Sequence, residues 1–187
     1  MKLRLTINVP VWLDRIIASP ALLYRRLRYG FPFRRIPLTQ AKFALVDPHD
    51  YTALIKHKWS ASKWGNTFYA VRSQGRTQIK MHRQITNAPP HLLVDHRDHN
   101  GLNNTKQNLR LCTQSENAKN QRPRNDGSSK FKGVSWNKRD KHFDVRLRYN
   151  GRNLYIGSSK SELEAARAYD SAAKFYYGNF ACTNFNT

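Results

Sequence analysis

The sequence predicts an α+β protein assembled from small antiparallel sheets and a few short helices. Runs of β-branched and aromatic residues such as Thr67–Ser73 alternate with period two, and turn dipeptides such as Gly65-Asn66 and Asn150-Gly151 separate them. Two helix starts are marked by a hydroxyl residue with a glutamate three positions on, Thr113 with Glu116 and Ser161 with Glu164. With 187 residues, 39% hydrophobic and 12% aromatic, the chain holds one domain or two small ones and not a large multi-lobed enzyme. The 33 Lys and Arg against 12 Asp and Glu give a formal charge of +21, which implies a polyanionic partner, either nucleic acid or an anionic membrane surface. Residues 1–36, 37–125 and 126–187 are each basic, so no single tail carries the charge. The aromatic content argues against a disordered basic tail. Two cysteines, Cys112 and Cys182, exclude a disulfide framework and a four-cysteine zinc site, and they fit a reducing compartment.

Taken in order, the elements are these. Ile16–Tyr24 is apolar but only about half the ~20 residues a membrane span needs. A basic start before it mimics a signal peptide, yet Arg25, Arg26 and Arg28 stand where small cleavage-site residues belong, so the chain is expected not to be secreted. Ser19-Pro20 reads as an N-cap with proline at the first helical position, opening a helix Pro20–Tyr29 that Gly30 and Pro32 stop. Two readings of this helix stay open: it grasps phosphate or a membrane surface, or it is a solvated helix packed on the next domain. From Ile36 to Thr86 the signals are mostly strands: Phe43–Val46, Lys58–Trp64, Thr67–Ser73 and Thr77–Met81, with Asp50–His57 as one helical stretch. Leu92–His96 reads as a short strand, Arg97–Gln107 as a polar loop, Leu109–Cys112 as a second strand, and Thr113/Glu116 as a capping box opening a helix. Residues 121–130 (QRPRNDGSSK) read as a linker. Beyond it come strands at Gly133–Trp136, His142–Tyr149 and Arg152–Ile156. Then comes a helix with N-cap Ser161, apolar stripe Leu163, Ala166, Tyr169, Ala173 and Tyr177, and stop Gly178.

The string Val94–Asn104, followed by Gln107–Asn117, concentrates the chemistry. Phosphodiester hydrolysis needs a base for water, and an imidazole near its ordinary pKa of ~6.5 serves at neutral pH. It also needs the developing negative charge stabilised, which a hard divalent cation held by oxygens can do. Asp95 and Asn117 each offer an oxygen, and a hairpin can bring the helix start beside Asp95. This string resembles the HNH endonuclease family, whose core is a ββα-metal finger. The resemblance implies that His96 is the general base and that Asn108 holds the loop and so positions the base. It implies that Asp95 and Asn117 are metal ligands, in an H-N-N variant found in phage and intron homing endonucleases. Amide oxygen in place of the final imidazole favours Mg²⁺, or Mn²⁺, over Zn²⁺. The likeness extends upstream to Met81-His82-Arg83 and covers residues 37–122; His82 either touches the scissile phosphate or packs. His99 and Asp98 read as loop residues.

The stretch Lys130–Asn186 resembles the plant apetala-two / ethylene-response-factor DNA-binding domain, on Phe131-Lys132-Gly133-Val134, Tyr155-Ile156-Gly157, Glu164–Asp170 and Asn184-Phe185. Such domains lay a three-stranded sheet in the major groove. Alternation in Phe143–Tyr149 puts Phe143, Val145, Leu147 and Tyr149 on one face and Asp144, Arg146 and Arg148 on the other. Arg suits bidentate guanine contact. Lys132, Trp136, Lys138, Arg139, Lys141, Arg152 and Tyr155 are expected to join Arg146 and Arg148 on that surface.

The expected protein is therefore an α+β chain with a basic N-terminal extension (1–36), an HNH domain (37–122) in which a small antiparallel sheet precedes the finger, a linker (123–130), and a three-stranded sheet on one helix (131–187). It is expected to hydrolyse double-stranded DNA with a divalent metal, in a cytoplasmic, bacterial or phage setting, without integral membrane segments. One finger offers one active site, so a monomer nicks; double-strand cutting needs a dimer or two events. The alternatives are a DNA-binding regulator with an inactive nuclease core and a basic RNA-binding or membrane-surface protein.

Overall fold

The structure, a computed structural model, describes residues 11–123 and 127–185, with backbone alone for 11–17. The expected linker falls partly outside, since Arg124, Asn125 and Asp126 are not among the described residues. The protein is mixed α+β, and its described residues form four small sheets. The chain separates into two compact units, Met1–Asn87 with Asn100–Arg110, and Ala88–His99 with Leu111–Thr187.

The first unit opens with helix α1, Val11–Tyr29. Pro20 lies inside this helix and does not start it, which corrects the expectation of a helix beginning there. A proline removes one intrahelical hydrogen bond, and the Gly- and Pro-free segment before it carries the helix across the gap. Strand β1 (Arg34–Pro37) pairs antiparallel with β2 (Phe43–Val46). Helix α2 (Pro48–Leu54) begins earlier than expected, because Pro48 occupies a first-turn position after the extended Asp47. Strands β3 (Ser60–Trp64), β4 (Thr67–Gln74) and β5 (Thr77–Lys80) form an antiparallel meander. Helix α3 (Met81–Thr86) replaces the expected strand signals at this point. Its Met81 and Ile85 stand one turn apart and both reach the core. That core gathers Ile36, Val46, Leu54, Trp59 and Met81, and the Trp59 indole N–H donates to the Leu54 carbonyl at 2.8 Å. Each such side chain withdrawn from water contributes about 1.5–3 kcal/mol.

In the second unit, β6 (Leu93–His96) forms a two-stranded sheet with β8 (Leu109–Cys112), whose last two residues belong to this unit. Between them, the two-residue strand β7 (Asn103–Asn104) belongs to the first unit and runs parallel to β2, inside what reads as loop in the sequence. Helix α4 (Gln114–Lys119) follows. The expected capping box is present: Thr113 Oγ1 accepts from Glu116 N, and Glu116 Oε2 accepts from Thr113 N at 2.8 Å.

Strands β9 (Val134–Asn137), β10 (His142–Tyr149) and β11 (Arg152–Ser159) form an antiparallel sheet with β10 central. Asn150 and Gly151 take left-handed φ of 49° and 76° and make the hairpin between β10 and β11. Helix α5 (Glu162–Tyr177) packs on this sheet. Ser161 accepts from Glu164 N, but Glu164 takes the Ser159 hydroxyl at 2.7 Å, so this cap is half of the box expected. Leu163 is 54% exposed and leaves the expected stripe, because the buried row Ala166, Tyr169, Ala173 and Tyr177 runs back toward Glu162 at helical spacing; Ala165 is buried instead.

Gly133 is required by close approach. Its φ is +73°, and a Cβ there would stand 1.9 Å from a Tyr169 ring carbon and 2.8 Å from the Arg146 carbonyl oxygen. Gly151, with φ +76°, faces open space. Gly133→Ala is expected to destabilise the protein by about 1–3 kcal/mol beyond backbone strain, through overpacking. Gly151→Ala should show the strain alone, about 1–2 kcal/mol. Urea melts of the two variants check this, and equal losses would contradict the close packing at Gly133.

Candidate active site and basic face

The end of β6 carries two adjacent buried polar residues, Asp95 at 6% and His96 at 5% exposure. A buried carboxylate must be met by donors. One donor comes from α4: Asn120, its C-cap and itself buried, donates from Nδ2 to both Asp95 carboxylate oxygens at 3.0 Å and to the His96 carbonyl at 3.2 Å. The His96 carbonyl also accepts from His99 N at 3.0 Å, where His99 turns the chain at φ 62°. Asn117 stands one turn before Asn120, half-buried within α4. Sequence reasoning missed Asn120. The available signal was a second asparagine three positions after Asn117, on the same side of a short helix.

Asn108 and His82 lie in the first unit. Asn108 is buried, and its Nδ2 donates to the Asn103 carbonyl at 2.8 Å, strapping the second half of the polar loop. Lys106 N donates to Asp47 Oδ2 at 2.7 Å, and Gly101 approaches β4 so closely that a Cβ would stand 2.5 Å from the Phe68 carbonyl oxygen. His82 is buried in α3, edge-on to the Tyr69 ring at 5.5 Å.

The side-chain oxygens expected to hold an ion are the Asp95 carboxylate and the Asn117 amide, whereas Asn120 presents its amide nitrogen to Asp95. No group of three or more His, Cys, Asp or Glu placed to hold a metal occurs among the described residues. This chemistry suits a hard cation such as Mg²⁺ better than zinc. His99 is partly buried, and its imidazole pKa is lowered first by that burial and next by the charge of Arg122. Its Nε2 lies 3.7 Å from the Cys182 sulfur.

On the three-stranded sheet, residues directly opposite one another share a face. Arg146 opposes Tyr155 and Arg148 opposes Asn153, so these four lie on the outer face, away from α5. Trp136 opposes Phe143 and packs against it, ring centroids 4.7 Å apart and planes tilted by 59°; it lies on the α5 side at the sheet edge and not among the arginines as expected. Arg152 opposes Tyr149 and departs in the same way, at the hairpin end. Arg146 is paired with the buried Asp144 at 3.1 Å, and Arg139 with Asp140 at 3.0 Å. Lys138 and Lys141 sit in the exposed turn between β9 and β10. Lys132 departs furthest from expectation. Its ammonium donates to the carbonyls of Lys119 and Gln121 at the end of α4, where the helix dipole is negative, and burial lowers its pKa. A cavity of about 690 Å³ beside α4 and β10 is lined by Lys119, Arg146, Arg148 and Asn153 among others, and no acidic side chain lines it. No helix among the described residues is long and apolar enough to cross a membrane.

These features define a small basic α+β protein with a buried carboxylate–histidine pair at a strand end, met by a capped helix. No protein-family model matches the chain. It is 33% identical over 148 residues to an uncharacterized HNH endonuclease of Acanthamoeba polyphaga mimivirus, a match that covers 76% of this chain and 74% of the relative. In a chain of 187 residues a match of that extent takes in the segment from Asp95 to Asn117. The chain belongs to the HNH endonuclease family and is, at that level, a nuclease-type enzyme.

The lowered pKa of His99 has a consequence for stability. Between its lowered folded value and the unfolded value of ~6.5, the unfolded chain binds a proton that the folded chain does not. The His99 contribution to stability is therefore fully present above ~pH 6.5 and is lost as the pH drops from there through the lowered folded value. His99→Asn, which tolerates the left-handed backbone, is expected to flatten this decline. Urea midpoints of both proteins at about pH 7.5 and 5.5 measure it.

Proposed function

We propose that the chain is a metal-dependent DNA endonuclease in which β6, β8 and α4 act as a ββα-metal finger. The observation that carries this reading is the buried Asp95–His96 pair bound by the α4 amide of Asn120. His96 takes the proton from the attacking water. The Asp95 carboxylate and the Asn117 amide oxygen are the groups that would hold the ion. A bound Mg²⁺ or Mn²⁺ supplies charge stabilisation at the phosphorus and neutralises the leaving oxygen. Asn108 keeps the polar loop in shape through its bond to Asn103. Two roles stay open for His82, contact with the scissile phosphate or packing against Tyr69.

The C-terminal module, similar to the apetala-two / ethylene-response-factor domain, is proposed to anchor the enzyme on duplex DNA. Arg148, Arg146 and Tyr155 on the outer face, with Lys138, Arg139 and Lys141 in the adjoining turn, make up the proposed contact surface. Lysines there meet phosphate and position the duplex; arginines are suited to reading bases. The net charge of +21 drives association with the polyanion.

Supercoiled plasmid incubated with Mg²⁺ is expected to relax, and EDTA is expected to prevent it. His96→Ala should lower the rate by about 10²–10⁴-fold, the usual contribution of a positioned base, while DNA binding persists. Asn108→Ala and His82→Ala are read in the same assay. No metal-dependent relaxation by the wild type, with binding intact, would make the protein a DNA-binding regulator instead. For the anchoring surface, Lys138→Ala should reduce the slope of log affinity against log salt by about one, as loss of one phosphate contact does. An unchanged slope removes that turn from the contact surface.

A further inference from the structure

A chain of hydrogen bonds runs through the second unit from α5 to the Asp95–His96 pair. The Asp170 carboxylate, in α5, accepts from Asn184 N at 2.7 Å, Asn184 Nδ2 at 3.0 Å and Phe185 N at 2.9 Å. Asn184 grips the Lys132 backbone at both ends: its Oδ1 accepts from Lys132 N at 2.7 Å, and its Nδ2 donates to Lys132 O at 3.2 Å. The Lys132 ammonium then reaches the carbonyls of Lys119 and Gln121. Between those two carbonyls in sequence stands Asn120, whose amide holds Asp95 and the His96 carbonyl. We infer that Asn120 is a positioning residue for the Asp95–His96 pair, and that Lys132 makes this positioning depend on the C-terminal module.

The inference rests on the proposed reading of Asp95 and His96 as the catalytic centre. The last carbonyls of a helix lack intrahelical partners, and α4 is only six residues long, so its end frays unless something outside binds it. Lys132 is that partner, and its own backbone is fixed by Asn184 rather than by α4. The Asn120 amide, in turn, bonds both oxygens of one carboxylate, which sets the plane of that carboxylate and hence the direction its remaining lone pairs face. Loosening the end of α4 therefore lets the carboxylate rotate, although neither Lys132 nor Asn120 touches a reacting atom. A lysine recruited for DNA phosphate would behave differently, since its loss would weaken binding and reduce the salt dependence.

The test uses the full chain with Asn120→Ala, Lys132→Met and the double variant, each checked for native melting. Lys132→Met keeps most of the length of the side chain and removes its charge. Loss of an outer partner of a metal-binding carboxylate lowers metal affinity or activity by about 10–100-fold. Both single variants are accordingly expected to lose about ten-fold or more in kcat on plasmid, with KM changed less than two-fold, and to bind Mn²⁺ about ten-fold more weakly by calorimetry without DNA. The salt slope of DNA binding should not change in Lys132→Met. Because the two residues act in series, the double variant should be no worse than the weaker single one. Should Asn120→Ala melt abnormally, Asn120→Ser, which retains a short donor, is read in its place. Additive losses, an unaltered Mn²⁺ affinity, or a Lys132→Met protein with full kcat and a reduced salt slope overturns the inference while leaving the nuclease reading intact. A wild-type protein that neither cleaves nor binds Mn²⁺ overturns both.

Discussion

A buried polar group has to find hydrogen-bond partners, and at the end of β6, where Asp95 is 6% exposed, that requirement brings the Asn120 amide to its carboxylate. Much of the second unit can be understood from this one constraint. Helix α4 has to end beside β6 for its C-cap to reach the carboxylate, and so it is short. A six-residue helix has little stability of its own. The capping box of Thr113 and Glu116 secures its first turn, and the Lys132 ammonium secures its last carbonyls.

The first unit meets a different demand. Its polar loop carries many backbone groups that water must not be left to satisfy, and it is tied down by local straps. Asn108 binds Asn103, Lys106 N binds Asp47, and β7 takes a place beside β2. These bonds hold an asparagine-rich segment in one conformation next to a compact apolar core that includes Ile36, Trp59 and Met81. Membership of the HNH endonuclease family gives this economy of small sheets a context, since a nuclease needs a rigid presentation of few polar groups more than it needs a large core.

The charge of the C-terminal module is not all of one kind. Arg146 and Arg139 are already paired with carboxylates, and Lys132 is spent on a helix end. Exposed ion pairs contribute little to stability, so Arg139 stays available to a stronger anion, whereas Arg146 is also oriented by a buried partner, Asp144. A count of basic residues therefore overstates the positive charge this module leaves to be met from outside.

What could be read without coordinates was what neighbours in sequence decide. The hairpin at Asn150-Gly151, the capping box at Thr113, and the strands at Phe43–Val46, Leu109–Cys112 and His142–Tyr149 all rest on interactions within a few residues. Local rules failed where a distant partner overrode them. Helix α1 runs through Pro20, and α3 forms because Met81 and Ile85 find a core. Leu163 loses its place to Ala165, and Trp136 follows Phe143 to the helix side of its sheet. Asn120 and Lys132 belong with these. A buried amide and a half-buried ammonium look like any others along the chain, and only the fold, by bringing residues 25 and 11–13 positions apart within bonding distance, decides that one binds a carboxylate and the other the end of a helix.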